Sequence, residues 1–276
     1  MPAVRWVGNS SDDKLGAMLF ATIDWSQPWL ARLRRIGEAL AASDDWIKAA
    51  GVLSAERGLA NAAGHPIRFI AQQSLPASIV YESHIAATGE VPTRNNLHDF
   101  FNTLVWLHFP NIKRALNAVQ VEAIDHSHSR ATRGPQRDAA TLFDENAAIF
   151  VSDDANMLEA LRAHDWHTTL QRTPHEFFSH SEVILFGHAL IEKLAAPYKS
   201  ITAHVWTMKM DSAWFAMSHQ AQQAVLDEHI ASMLLEGFDN SAFCHLPVLG
   251  VPGWWHEQDA EFYADTDVFR PKRQHR

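Results

Sequence analysis

Two pairs of polar residues stand in otherwise apolar helical runs of the sequence. His98 and Asn102 are four residues apart in the run 95–117, and His188 and Glu192 are four apart in a second run. Residues with this spacing share one face of an α-helix. Imidazoles and carboxylates ligate divalent metals, and a carboxylate also orients an imidazole. The spacing therefore predicts a site for a divalent metal such as zinc, iron or manganese.

The predicted metal ligands are His188, Glu192 and His204, with His98 as a candidate fourth ligand. His204 joins the set because it shares one face of a predicted strand with Trp206. The alternative for His188 and Glu192 is an exposed pair, which contributes about 0.2–0.5 kcal/mol. The apolar residues around the pair favour burial over exposure.

The candidate catalytic residues are His98, Asp99 and Asn102. Asp99 also has a structural explanation, because Asn96 is a good N-cap and an acid in the first turn stabilises the helix dipole. His98 and Asn102 project from a run that is apolar on all sides, where buried polar groups need partners. Two interpretations stay open: a hydrogen-bonded structural cluster, or a ligand-binding or catalytic one.

The two isolated imidazoles are expected to meet. His98 and His188 each lie beside a carboxylate on an apolar helix, and burying such groups separately leaves polar atoms without partners. Packing them together lets them satisfy each other or share an ion. We therefore predict that they face each other across one cavity, with the loop at 126–137 at its rim.

That loop carries the densest basic cluster of the chain. Arg130, Arg133 and Arg137 are the predicted substrate-binding residues, because guanidinium groups bind carboxylates and phosphates through paired hydrogen bonds. A small anionic ligand is the partner that this cluster indicates. The alternative is that these arginines form salt bridges to neighbouring acidic side chains.

Composition limits the classes of function. The chain has 276 residues and a net charge of −9, from 23 basic and 32 acidic residues, which argues against general binding to nucleic acids or anionic membranes. Cys244 is the only cysteine, so neither an intrachain disulfide nor a thiolate metal cluster is expected. The sequence has no apolar run of about 20 residues and no signal-peptide layout at its amino terminus, so we expect a cytoplasmic protein.

Several common catalytic motifs are missing from the sequence. It contains no GxGxxG, GxxxxGK[ST], GxSxG or HExxH pattern. Nicotinamide binding on a Rossmann site, P-loop chemistry and the common form of serine hydrolysis are therefore not expected.

The elements that must position these residues are mostly helices. The pattern predicts an α+β fold, predominantly helical with a few short strands. The predicted strands include a hairpin near 139–152 and a strand near 201–210, whereas 181–196 is predicted as a helix, and Pro110 should interrupt the helix of the run 95–117. One compact domain over 1–276 is expected, with 246–276 as an irregular Pro- and Trp-rich segment packed on it.

Several blocks of the sequence resemble a known family. These blocks are YESHIAATGEVPTRNNLHDFFNTLVWLHFPNIKRALN (81–117), RGPQRDAATLFDEN (133–146), LFGHALIEKL (185–194), TAHVW (202–206) and LPVLGVPGWW…FY…VFRP (246–271). They are similar to a bacterial family catalogued as domain of unknown function 3025. The resemblance runs from about residue 65 to 272. It implies a bacterial origin and a single domain, and it implies no activity, cofactor or catalytic residue.

Two functions are consistent with these observations. The first is a metal-dependent, hydrolase-like enzyme that acts on an anionic substrate bearing a phosphate or carboxylate. The adjacent His98 and Asp99 are similar to the pair in HD-type metal phosphohydrolases, whose metal activates water. The second is a non-catalytic protein that binds a small anion or a protein partner and buries its histidines for structural reasons. The sequence leaves open whether the protein is an enzyme, and it does not indicate an oligomeric state.

Overall fold

The computed structural model describes residues 19–127 and 134–272. Within these residues the chain is α+β and predominantly helical, which confirms the predicted fold class. The helices are α1 (Arg34–Ala41), α2 (Trp46–Glu56), α3 (Tyr81–Thr88), α4 (Leu97–His108), α5 (Pro110–Ser127), α6 (Pro135–Asn146), α7 (Ala155–Ala163), α8 (Trp166–Leu170), α9 (Pro174–Phe178), α10 (His188–Lys193), α11 (Ser212–Phe215), α12 (His219–Glu236) and α13 (Ala260–Ala264). Short 3₁₀ helices cover Pro28–Leu30, Gln72–Ser74, Asn240–Ala242 and Val248–Gly250.

The strands form two small sheets. They are β1 (Arg68–Ala71), β2 (Glu90–Thr93), β3 (Ala147–Ser152), β4 (Ser181–Leu185), β5 (Thr202–Lys209) and β6 (Phe243–Pro247). β1 and β2 pair in parallel, with α3 between them in the chain. The larger sheet has the order β4-β3-β5-β6, in which β3 is parallel to β5 and the other two pairs are antiparallel. The strand predicted near 201–210 is confirmed as β5.

The hairpin predicted near 139–152 is wrong. Residues 135–146 form helix α6, which begins at Pro135, and only 147–152 form a strand. Pro suits the first position of a helix, and Ala139, Ala140 and Phe143 are buried at helical spacing. The antiparallel partner of β3 is β4, about thirty residues further along the chain. Asp144 and Glu145, inside the predicted hairpin, therefore lie in the last turn of a helix.

The helix predicted at 181–196 is also wrong in its first half. Residues 181–185 form β4, and α10 begins only at His188. Gly187 marks the change, because a Cβ atom there would lie 2.4 Å from the backbone nitrogen of Ala147. The Gly187 N–H donates to the Ala147 carbonyl at 2.7 Å, which ties the start of α10 to the end of α6.

Helix α4 runs through the core of the protein. The Asn96 side chain accepts a hydrogen bond from the Asp99 N–H at 2.8 Å, which confirms Asn96 as the N-cap. Nearly every residue from 99 to 108 is buried, among them Phe100, Phe101 and Trp106. Pro110 ends this helix and starts α5, as the sequence predicts. A helix buried on all sides must satisfy its polar side chains inside the protein.

Three helices converge near the start of α4. Helix α10 packs against both α4 and α6, and α6 packs against α5. Phe143 anchors α6 by stacking on Phe186, with ring centroids 4.7 Å apart, and on Phe243, with centroids 5.8 Å apart. The two residues after Phe143 are thereby brought to the place where α4 and α10 meet.

The carboxyl-terminal segment packs on the rest of the chain. It contains the end of β6, a 3₁₀ helix and α13. Trp254 lies against Trp29, with ring centroids 6.0 Å apart, and the Tyr263 hydroxyl donates to the Gly250 carbonyl at 2.9 Å. The buried apolar residues form one cluster that includes both ends of the described chain. The single-domain organisation stays a prediction.

Within 19–127 and 134–272, none of the helices combines the length and the apolar character that crossing a bilayer requires.

Candidate metal centre

His98 and His188 face each other at the start of α4 and α10. Their Nε2 atoms are 3.1 Å apart, and their rings lie edge to face with centroids 4.5 Å apart. The prediction that these two imidazoles meet is therefore confirmed. His188 is only 4% exposed, whereas His98 is partly open to solvent.

Glu145, in the last turn of α6, completes a group of three. Its Oε2 atom lies 3.5 Å from His188 Nε2 and 4.0 Å from His98 Nε2. The ligand atoms of these three residues all lie within 4.8 Å of one another. Bonds of about 2.0–2.1 Å place any two ligand atoms of a tetrahedral ion roughly 3.3 Å apart. The observed separations fit one ion bound by two imidazoles and one carboxylate.

Each imidazole also has a carboxylate near its Nδ1 atom. Glu192 Oε2 lies 2.9 Å from His98 Nδ1, and Asp144 Oδ1 lies 3.9 Å from His188 Nδ1. The Glu192 carboxylate can only accept a hydrogen bond, so His98 carries a proton on Nδ1. In a neutral imidazole the lone pair then lies on Nε2, which points at His188. Carboxylates behind metal-bound histidines are a regular feature of metal sites.

His188 is held in its neutral form. Burial lowers the pKa of His188 to about 4, although the Asp144 carboxylate acts in the opposite direction. Its Nδ1 atom is buried and has no hydrogen-bond partner among the described residues. A proton on Nδ1 would face Asp144, and the lone pairs of both Nε2 atoms would then converge on one point. A cation at that point would remove the repulsion between them.

Asp144 is part of a buried polar network. Lys113 is 4% exposed, and its Nζ atom donates to Asp144 Oδ1 at 2.5 Å and to Asn102 Oδ1 at 2.8 Å. Burial acts to raise the pKa of Asp144, but Lys113 and the two imidazoles together lower it below its ordinary value. Burial, followed by the negative charge of Asp144, raises the pKa of Glu145. A cation bound at the group of three would therefore stabilise the ionised form of the Glu145 carboxylate.

Asn102 belongs to the same buried polar network as Lys113 and Asp144. Its Oδ1 atom accepts from Lys113, and its Nδ2 atom donates to the Tyr81 hydroxyl at 3.3 Å. The prediction that Asn102 takes part in catalysis stays a prediction.

In an HD-type site the aspartate next to the histidine would bind the metal. The Asp99 carboxylate binds Arg94 instead. It accepts hydrogen bonds from the Arg94 backbone N–H at 2.6 Å and from the Arg94 guanidinium at 2.9 and 3.1 Å. Asp99 is also outside the group of three that can hold an ion. The carboxylate next to His98 in the sequence binds Arg94, whereas the carboxylates near the His98 ring are those of Glu192 at Nδ1 and Glu145 at Nε2.

His204 and Glu192 lie outside the group of three, and their role as metal ligands stays a prediction. His204 Nδ1 lies 3.4 Å from Asn146 Nδ2, and its ring packs on His245 with centroids 5.0 Å apart. Within the described residues, neither belongs to the group of three. Glu192 contacts the group through His98, whereas His204 sits on the strand β5 beyond the end of α6.

The arginine cluster is only partly described. Arg130 and Arg133 lie outside the described residues. Arg137 lies in the first turn of α6 and is half-buried. Their role in binding a substrate stays a prediction.

A cavity of about 400 Å³ opens beside the imidazoles. Arg94, at the end of β2, lines it, and the Arg94 side chain is 57% exposed. The other lining residues are Gln72, Leu75, Tyr81, Glu82, His98, Asp99, Asn102, Gln120, Thr141, Asp144, Glu145 and His188.

Sequence reasoning missed Glu145, Asp144, Arg94, Tyr81 and Lys113. Asp144 and Glu145 fell inside the predicted hairpin, whereas reading 135–146 as a helix would have placed them directly after the buried Phe143, in the last turn. For Arg94, Tyr81 and Lys113 the sequence carries no distinct signal, because the contacts that define them come from other elements.

Comparison with known proteins assigns the chain to a family. The family model described as "Protein of unknown function (DUF3025)" matches residues 67–273, and the chain belongs to this family. No curated protein and no solved structure matches the chain.

Proposed function

We propose that this protein is a metal-dependent hydrolase whose ion is held by His98, His188 and Glu145. The observation that carries the proposal is the pair of Nε2 atoms 3.1 Å apart, each on an imidazole with a carboxylate behind it. Two histidines and one carboxylate are a common ligand set of catalytic zinc. Iron and manganese also accept this mixture of nitrogen and oxygen ligands.

A divalent ion would take its protein ligands from the two imidazoles and the Glu145 carboxylate. A bound divalent ion supplies acidity to water and so produces a nucleophile at neutral pH. In the reaction the water oxygen bonds to the carbon or phosphorus of the substrate. The bond to the leaving group breaks, and the leaving group takes a proton derived from the water. The cavity beside the imidazoles provides the space for such a substrate.

Arg94 supports an anionic substrate. Its Nε and one terminal nitrogen bond to Asp99, which fixes the guanidinium while most of the side chain stays exposed at the cavity. The second terminal nitrogen is then available for a phosphate or carboxylate of the substrate. Arg137 and the arginines near it are proposed as further contributors to this anion site.

The test is hydrolysis by tag-free protein loaded with zinc, iron or manganese in turn. The panel contains phosphate mono- and diesters, and esters and amides of dicarboxylic acids. We expect turnover of at least one substrate, lost in His188→Ala and kept in His229→Ala, a control at an exposed histidine of α12. Bound metal with no turnover on the whole panel would favour a non-catalytic binding protein instead.

A further inference from the structure

Tyr81, the first residue of α3, borders the cavity beside the imidazoles, and its hydroxyl contacts another residue of the cavity wall. The residue is half-buried and lines the cavity together with His98 and Glu145. Its hydroxyl oxygen lies 3.3 Å from Asn102 Nδ2. A phenol in this place can act as a donor, an acceptor or both, and the direction of its hydrogen bonds decides which.

Lys113 sets that direction. An ammonium group has only hydrogens to donate, so the Asn102 atom 2.8 Å from Lys113 Nζ must be the amide oxygen. The amide nitrogen of Asn102 therefore faces Tyr81 and donates to its oxygen. The hydroxyl hydrogen of Tyr81 is not used in this contact. The described residues offer it no other hydrogen-bond acceptor, which leaves it free for a molecule in the cavity.

The surroundings keep this hydroxyl protonated. Burial, followed by the negative charges of Asp99 and Asp144, raises the pKa of Tyr81 far above its ordinary value. Tyr81 is therefore a neutral donor at neutral pH. A neutral donor also adds no charge to a site that already contains several carboxylates.

We propose that the Tyr81 hydroxyl donates a hydrogen bond to the oxygen that becomes negatively charged when a substrate is hydrolysed at the metal. This inference rests on the proposed function and narrows the substrate to acyl or phosphoryl compounds, in which attack by water places negative charge on oxygen. Tyr81 is then a catalytic residue. Lys113 and Asn102 are positioning residues, because they act through the orientation of the phenol. Donors aimed at such an oxygen are among the larger contributions to catalysis.

The experiment uses inorganic phosphate as a tetrahedral oxyanion probe. Calorimetry measures its binding to the zinc-loaded full chain in wild type, in Tyr81→Phe and in Tyr198→Phe, a control at an exposed tyrosine. We expect Tyr81→Phe to weaken phosphate binding about ten- to hundredfold, the usual effect of losing a hydrogen bond to a charged group. Zinc affinity should be the same in all three proteins, which shows that the site is still assembled.

The outcomes separate this inference from the proposed function. Equal phosphate affinity in wild type and Tyr81→Phe, with zinc bound in both, overturns the role of Tyr81 alone. Wild-type protein that binds zinc but no phosphate overturns it as well. Wild-type protein that binds no divalent metal overturns the proposed function, and the role of Tyr81 with it.

Discussion

The Asp99 carboxylate joins the start of α4 to the end of β2. It receives three hydrogen bonds from Arg94, one from the backbone and two from the guanidinium. We expect Asp99→Asn to lower the free energy of unfolding by about 1–3 kcal/mol, because an amide has only one accepting oxygen and leaves donors unsatisfied. Urea denaturation measures the change. Asp44→Asn, at an exposed residue, is the control and should be neutral. An equally neutral Asp99→Asn would show that the hydrogen bonds from Arg94 do not stabilise the protein.

The buried imidazoles make stability depend on pH. Burial lowers the pKa of His188 to about 4, and burial also lowers that of His108 to about 4. An imidazole in an unfolded chain titrates near 6.5, so the unfolded protein binds more protons between about pH 6.5 and 4. Stability is therefore lost as the pH falls through that window. Each histidine should remove about 3 kcal/mol at the acid end in the metal-free protein.

Urea unfolding of metal-free protein at pH 7 and pH 4.5 tests this prediction. His188→Gln should lose less stability than wild type over that interval, since one of the two imidazoles whose pKa burial lowers to about 4 is gone. His229→Gln, at an exposed histidine, should behave like wild type. The same pH dependence in wild type and His188→Gln would show that His188 is not held neutral by burial.

Chemistry at single residues was predictable from the sequence only where the pattern was local. His98 and His188 each stand alone in an apolar helix, so burial and the need for a partner could be inferred for both. Glu145 was not recognised, because its role depends on α6 ending beside two helices that are distant in the sequence. The contact between Asp99 and Arg94 was not predictable either. It depends on β2, whose position follows from its pairing with β1.

At the scale of elements, Gly187 decides how closely α10 approaches α6. A Cβ atom there would lie 2.4 Å from the Ala147 nitrogen and 2.5 Å from the Asn146 nitrogen. We expect Gly187→Ala to destabilise the protein by about 1–3 kcal/mol and to weaken metal binding, because His188 and Glu145 flank the displaced segments. Thermal denaturation and zinc titration measure the two effects.

Gly51→Ala is the matched control for this substitution. Gly51 lies inside α2, and a Cβ atom there would meet nothing within 4 Å. Alanine in a helix interior is more favourable than glycine by about 0.5–1 kcal/mol, so Gly51→Ala should raise stability. A Gly187→Ala protein that is as stable as Gly51→Ala would contradict the close packing of α10 on α6.

The elements themselves were predictable where their periodicity was long and bounded. Helix α4 had an N-cap at Asn96 and a stop at Pro110, and β5 had a clear run of apolar and β-branched residues. The segments 139–146 and 181–187 were assigned wrongly because short apolar runs suit a buried strand and a buried helix equally well. The pairing of β3 with both β4 and β5 decides which runs become strands and which become helices. A local sequence pattern does not contain that pairing.

At the scale of the whole molecule, the proposed site lies inside the segment that defines the family. His98, Glu145 and His188 all fall within residues 67–273, as do Tyr81 and Arg94. The part of the described chain before residue 67 adds α1 and α2, and α2 packs on α4. The net charge of −9 favours the approach of cations over anions, which agrees with a metal site. An anionic substrate would therefore need local arginines to bind.

The metal content of the protein shows directly whether His98, His188 and Glu145 hold one divalent ion. Tag-free wild type, His98→Ala, His188→Ala, Glu145→Gln and His204→Ala are equilibrated with zinc, dialysed and measured by atomic emission. We expect about one zinc per chain in wild type and in His204→Ala, and a loss of that zinc in the other three. A wild type without zinc, or a loss in His204→Ala with retention in His188→Ala, would contradict this expectation.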